Sequence, residues 1–394
     1  MILQLLETPL RILRAFRARA SLPLYELDRA HIQTKRSRIR PFVPERGFTQ
    51  DPLCPPTNGS PPELTITGWR LAHAVKKADY LRQMPFELMQ RLGFLLEQLP
   101  ALDWRRGNLR LLPGVASAYA DFAGSSLAGR IGQGIALLFM DAHAYAFAAH
   151  YPRAAGTPGP DFIFEHRADR VLVEAKGAFV APKVQPNIKG ILADGLHQLS
   201  RAKPLGSKKS YVVGSFLREN GDQAEEPSLV AFVDPENDLS SSSDESPPDL
   251  VVRHNYAAWL DAMNLHYAAS DLRARTPRDH PEAIQLRILN LNGTSFGVVP
   301  IHVVFPDDLD EPFHRWPWRN GGFVVAGLPM PILDRIGGVL ADSSTLLTVG
   351  DAMASLPEAD HDGEFKGSVL RDGSLLGSLP AQLLLREPLE EIRL

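Results

Sequence analysis

In the stretch PGPDFIFEHRADRVLVEAKG, residues 158–177, two short apolar runs carry Asp161 at the head of the first and Glu174-Ala175-Lys176 at the tail of the second. With HRAD (166–169) as a four-residue hairpin loop, the runs pair Glu165 with Arg170, Phe164 with Val171, Ile163 with Leu172, Phe162 with Val173 and Asp161 with Glu174. Alternation then puts Phe162, Phe164, Val171, Val173 and Ala175 on one face. Asp161, Glu174 and Lys176 fall on the other, with Ile163, Leu172 and the Glu165–Arg170 pair. Carboxylates opposed at Cβ separations of about 5 Å repel unless a cation compensates them. A hard divalent ion, Mg2+ or Mn2+, does so with a few carboxylate oxygens, a carbonyl and retained waters, and such sites commonly hold substrate phosphate too. Lys176, on the face of Glu174, can orient an attacking water or offset charge developing on a phosphate. This arrangement suits phosphodiester hydrolysis.

The elements around the hairpin must position these groups. SSLAGRIGQGIALLFMDAHAYAFAAHYP, starting at 125, opens with serines able to cap a helix and continues apolar on nearly every side, which predicts a buried helix. Gln133 lies within it, between Gly132 and Gly134, where the glycines permit close approach of backbone or ligand. NIKGILADGLHQLSRAK follows the hairpin, with Ile188, Ile191, Leu192, Leu199 and Ala202 as a helical stripe, Gln198 at its border and His197 on the outer face. YVVGSF and SLVAFV are the next strands. Lys183, Lys189, Arg201, Lys203, Lys208, Lys209 and Arg218 are a basic series broken only by Asp194, able to follow a phosphate backbone.

With 394 residues and 44% hydrophobic content, the chain can bury a large core and divide into two or three domains. A formal net charge of -4 excludes bulk attraction to polyanions, so contact with nucleic acid requires a local patch. The single cysteine, Cys54, excludes an internal disulfide and fits a reducing cytoplasm. No run is long and apolar enough to span a bilayer, and the N-terminal MILQLLETPLRILRAFRARA predicts an amphipathic helix rather than a secretion signal. Residues 1–62 read as an N-terminal arm and linker, 63–275 as the domain carrying the hairpin and its preceding helices, and 276–394 as an α+β region of unassigned role. Phe86, Met89, Leu92, Leu96 and Leu99 mark a further amphipathic helix. The acidic tract from Glu219 to Asp249, without a Lys or Arg, reads as solvated loops, and IQLRILNLNGTSFGVVPIHVVF as strands about an Asn-Gly turn.

Pro160-Asp161 followed by Glu174-Ala175-Lys176 at the close of an apolar strand resembles the PD-(D/E)XK nuclease superfamily, over residues 125–233. The resemblance implies an α/β fold with a restriction-endonuclease-like core, a mixed central sheet flanked by helices, with the hairpin between two of them. It implies Asp161 and Glu174 as metal ligands, the Ala175 carbonyl as a third, and Lys176 as the catalytic lysine. Gln133 stands on the helix where members often place a glutamate, and Gln198 where they often carry a Gln or Lys near the scissile phosphate. The expected activity is Mg2+- or Mn2+-dependent cleavage of nucleic acid, DNA rather than RNA, in defence against phage or foreign DNA.

Because Gln133 brings no negative charge, a second reading stays open: a nuclease-like module that binds nucleic acid or a protein partner without cleavage. A third is an assembly subunit working through its flanking regions, as homo-oligomer or with another protein. Other signals carry less. DGEFKG (362–367) reads as a turn, His143 and His150 as two histidines on one helix face without a third ligand, and FHRWPWRN (313–320) as packing aromatics. No phosphate-cradling loop ending in Gly-Lys-Ser/Thr occurs.

Overall fold

The computed structural model describes residues 18–27, 29, 32, 40–41, 53–54, 61–82, 101–104, 107–118, 122–152, 159–166, 169–207, 209–221, 226–233, 247–277, 282–304, 322–342, 344–348 and 365–394. The predicted helices at the N-terminus and over Phe86–Leu99, the Trp316/Trp318 segment and most of the acidic tract lie outside these. The fold is mixed α/β, in two units, Arg11–Ser246 and Pro247–Leu394. Among the described residues no helix is long and apolar enough to cross a membrane.

The first unit runs β1 (Arg19–Leu27), β2 (Arg40–Pro41), β3 (Leu53–Cys54), β4 (Glu63–Thr67), α1 (Gly68–Leu81), β5 (Leu102–Asp103), β6 (Arg110–Leu111), α2 (Val115–Ala118), α3 (Phe122–Ala142), β7 (Phe147–His150), β8 (Phe162–His166), β9 (Asp169–Val180), α4 (Ile188–Leu199), β10 (Lys209–Arg218) and β11 (Leu229–Val233). Its main sheet has the order β3-β4-β1-β11-β10-β9-β8-β7, with β2 beside β1. The pairs β1/β11 and β9/β10 are parallel; β10/β11 and β8/β9 are antiparallel. The register of β8 against β9 is the expected one, Phe162 with Val173 through Glu165 with Arg170, and the ladder continues one pair further, to His166 and Asp169. Both faces of the hairpin are buried, as Phe162, Ile163, Phe164, Val171, Leu172 and Val173 are each at most 1% exposed. The Glu165–Arg170 pair is buried with them, at 2.6 Å.

Three expectations change. Residues 19–27 are a sheet strand, not part of an arm: Leu22 and Leu24 are fully buried, and β1 lies between β4 and β11. The buried helix ends at Ala142, because Ala144 takes a left-handed φ of 66° and the next apolar run becomes β7. Ser125 and Ser126 therefore lie inside α3, and His143 and His150 do not share a helix. The boundary expected at 275 falls at Ser246/Pro247, because the helices that follow pack into the second unit.

Glycine contacts set how closely helices approach the sheet. A Cβ on Gly177 of β9 would fall 1.8 Å from the Ala128 carbonyl oxygen of α3, and one on Gly132 would fall 2.8 Å from the Gly177 Cα. Gly134 meets Val75 of α1, and Gly195 of α4 meets Val212 of β10. Residues paired across β9 and β10 share a face, so Glu174 and Lys176 lie under α4, while Gly177, one residue on, faces α3.

The second unit contains α5 (Leu250–Ala262), α6 (His266–Ala274), β12 (Ala283–Leu291), β13 (Thr294–Val304), β14 (Gly322–Pro329), α7 (Met330–Ala341), β15 (Lys366–Val369), β16 (Leu375–Pro380), α8 (Ala381–Arg386) and β17 (Leu389–Arg393). Its sheet has the order β15-β16-β14-β13-β12-β17. The Asn-Gly turn joins β12 to β13 as expected, with φ of 48° and 81° at Asn292 and Gly293, the left-handed pair of a two-residue hairpin turn. Trp259 on α5 donates to the Gly327 carbonyl at 2.9 Å, and Tyr256 to that of Asp372 at 2.9 Å. Lys366 begins β15, so the end of DGEFKG is strand; residues 362–364 lie outside the described residues.

Gly177→Ala is expected to destabilise the protein by about 3 kcal/mol or more, since the added methyl meets backbone that cannot rotate away. Gly129→Ala, on the same helix contact but facing open space, should be neutral or stabilising by up to about 1 kcal/mol. Urea unfolding of both variants reads the difference. A second expectation concerns His143, which donates from Nδ1 to the Phe139 carbonyl at 2.9 Å and packs against that ring. Burial pushes its pKa down to about 3. Between about pH 6.5 and 3 the unfolded chain binds a proton that the folded chain refuses, so stability falls as pH falls through that window. His143→Phe should flatten this limb by up to about 1.4 kcal/mol per pH unit in unfolding free energy measured across pH.

Candidate functional site

The site forms where β8 begins, where β9 crosses its midpoint, and where α1, α3 and α4 bring side chains to them. Asp161 lies one residue before β8, outside the strict alternation of the ladder, and is 5% exposed. Its Oδ2 accepts from the Ala175 amide at 3.1 Å. Its Oδ1 accepts from Gln133 Nε2 at 3.1 Å and from Arg82 Nη2 at 3.0 Å. Asp161 is thus held from the α3 layer while Glu174 and Lys176 lie under α4, so the three do not share the one face that alternation predicts, and the peptide between Glu174 and Ala175 joins the two groups.

Glu174 is 4% exposed and accepts from Lys176 Nζ at 2.7 Å through Oε1. The same Nζ donates to Gln198 Oε1 at 2.7 Å. The bridge depends on α4 lying close to the sheet, as at Gly195, whose added Cβ would sit 3.5 Å from Glu174 Cγ. Gln198, at the edge of the apolar stripe, is therefore turned toward the hairpin, while His197 is exposed on the outer face.

Each carboxylate thus has a cation of the chain beside it, Arg82 for Asp161 and Lys176 for Glu174. The charge compensation that spacing assigned to a metal is met here by the protein itself. Sequence reasoning missed Arg82. It caps the C-terminus of α1, 79 residues before Asp161, and no local pattern signals that approach. Around it, α1 is buried and unusually polar. Asp79 accepts from Arg130 Nε and Nη2, each at 3.2 Å, and Arg70 meets Asp141 at 3.4 Å. Burial pushes the Asp79 carboxyl up, against the downward pull of Arg130, Arg82 and Lys76. Burial likewise brings the Lys76 ammonium down to about 8.

The donors available to a divalent ion are all oxygen, from Asp161, Glu174, the Gln133 side chain and the Ala175 carbonyl. Gln133 Oε1 is buried and accepts no hydrogen bond among the described residues. Among the described residues no three His, Cys, Asp or Glu side chains cluster as a metal-binding group. Oxygen donors of this kind, two carboxylates with neutral oxygens, are hard donors of the class that Mg2+ and Mn2+ take together with water and phosphate.

The basic series divides between the two ends of α4. Lys183 and Lys189 lie beyond the C-terminal end of β9. Arg201, Lys203 and Lys209 lie at the opposite end, where Lys209 pairs with Val171. At about 1.5 Å per residue, α4 sets Lys189 and Arg201 about 18 Å apart. Arg201, Lys203 and Lys183 are exposed, Lys189 and Lys209 are half-buried, and Lys208 lies outside the described residues. Arg218 is engaged in an ion pair with Glu226.

Compared with known proteins, the chain matches no family model, no curated protein and no solved structure.

Because the Arg82–Asp161 contact is part-buried, a double-mutant cycle with Arg82→Ala and Asp161→Ala in urea unfolding should give a coupling energy of about 1–3 kcal/mol. Coupling near zero would show that the contact contributes no more than an exposed pair.

Proposed function

We propose that this chain is a metal-dependent nuclease of the PD-(D/E)XK type, hydrolysing phosphodiester bonds in DNA by preference, with defence against foreign DNA as its setting. The observation that carries the reading is the placement of Lys176 Nζ between Glu174 Oε1 and Gln198 Oε1, 2.7 Å from each, on the strand beside Asp161. The order helix, hairpin, helix around the motif, with Gln133 and Gln198 turned to it from the flanking helices, supports a restriction-endonuclease-like core.

In this reading Asp161 and Glu174 hold Mg2+ or Mn2+, with the Ala175 carbonyl and Gln133 Oε1 as neutral donors. A bound divalent ion supplies electrophilic stabilisation of the phosphoryl oxygens and activation of the attacking water. Lys176 has three N–H donors and uses two on Glu174 and Gln198, which leaves one for a phosphate oxygen or the attacking water. Glu174 and Gln198 hold the ammonium so that this third donor has a defined direction. Gln133 orients Asp161 through Nε2.

A second reading, binding of nucleic acid or a protein partner without cleavage, is favoured by a specific observation: both carboxylates already carry internal cations, and Gln133 adds no charge. Incubation of the full chain with plasmid DNA and with RNA, in Mg2+, Mn2+ or chelator, separates the two. Metal-dependent cleavage is expected, with Lys176→Ala at least about 100-fold slower. Absence of cleavage with either metal on either substrate overturns the nuclease reading, and salt-sensitive binding under the same conditions would leave the second.

A further inference from the structure

Arg82 has no place in the motif, yet it contacts Asp161 at 3.0 Å, on the Oδ1 that also accepts from Gln133. The two partners differ in freedom. The Asp161 side chain is 7% exposed and tied to the Ala175 amide, whereas that of Arg82 is 27% exposed. The Arg82 backbone is fixed as the cap of α1, its N–H bonded to Ala78, so the side chain can turn to solvent without disturbing the helix. Asp79 lies three residues back on α1 and attracts the same guanidinium.

Charge arithmetic shows the consequence. Asp161 and Glu174 carry two negative charges, and Arg82 and Lys176 carry two positive ones. A divalent ion added to this neutral set leaves a net charge of about +2 in a largely buried site, which is unfavourable. Departure of Arg82 halves the excess, and one phosphodiester charge removes the rest.

Resting on the nuclease reading, we infer that Arg82 is a resident counter-cation that a divalent metal must displace from Asp161. It competes with the ion for one carboxylate and holds metal affinity down until a phosphodiester is present. The role belongs to this chain's own residues and follows from where α1 ends.

The test is Mn2+ binding to the full chain, read from the loss of the free-ion electron paramagnetic resonance signal. Arg82→Gln keeps a hydrogen-bond donor for Oδ1 but removes the charge, and it should bind Mn2+ about tenfold more tightly than the wild type. Asp161→Asn should bind at least about tenfold more weakly. Equal affinities for wild type and Arg82→Gln, with Asp161→Asn impaired, overturn the inference and leave the metal site standing. Mn2+ bound by none of the proteins sinks the inference and the reading beneath it. A measurement on the wild type covers the case in which Arg82→Gln fails to fold. Mg2+ should raise phenylglyoxal labelling of Arg82, located by peptide mass spectrometry, severalfold, and unchanged labelling counts against displacement.

Discussion

Two carboxylates on adjoining strands, each about 95% buried, can persist only if their charge is answered within a few ångströms. Much of the first unit's architecture serves that requirement. Burial removes the solvation that an exposed Asp or Glu would enjoy. Arg82 reaches Asp161 from the end of one helix, and Lys176 reaches Glu174 from two residues along the same strand. The neutral amides then complete the arrangement, Gln133 on one side of the sheet and Gln198 on the other.

These amides are short, so the helices that carry them must lie close to the strands. Glycine makes that approach possible. The contact of Gly132 with Gly177 lowers α3 onto β9, Gly134 admits Val75 of α1, and Gly195 brings α4 onto β10. Helix spacing and site chemistry are thus one constraint, and the same positions that fix the packing fix the reach of Gln133, Gln198 and Arg82.

Much of the hairpin was legible in the amino-acid order. Alternation and the opposed ion pair Glu165–Arg170 define the register without ambiguity, and a one-residue slip would have turned every side chain over. Gln133 and Gln198 were legible because each interrupts or borders an apolar helix, where an amide needs a partner. Arg82 was not, since its partner is distant in the chain and a helix cap leaves no periodic mark. The end of α3 was hidden because a left-handed Ala144 carries no signature of the kind that Gly or Asn supplies. In the second unit Asn292-Gly293 is the opposite case: the residues that tolerate positive φ stand where the turn needs them.

The strand β1 was concealed for a further reason. Its proline and its arginine-rich, proline-rich surroundings read as irregular chain, and its parallel partner β11 lies some two hundred residues later, beyond any local pattern. That separation shapes how the molecule must assemble. During synthesis β1 is made early, but the neighbour beside which it belongs is not complete until Val233 has been added. Until then β1 can pair with β2 and β4, and the edge that β11 covers stays open to foreign strands. A long wait for a distant, loop-closing contact is slow folding by topology, and for that interval the strand edge is a place where the nascent unit can mispair.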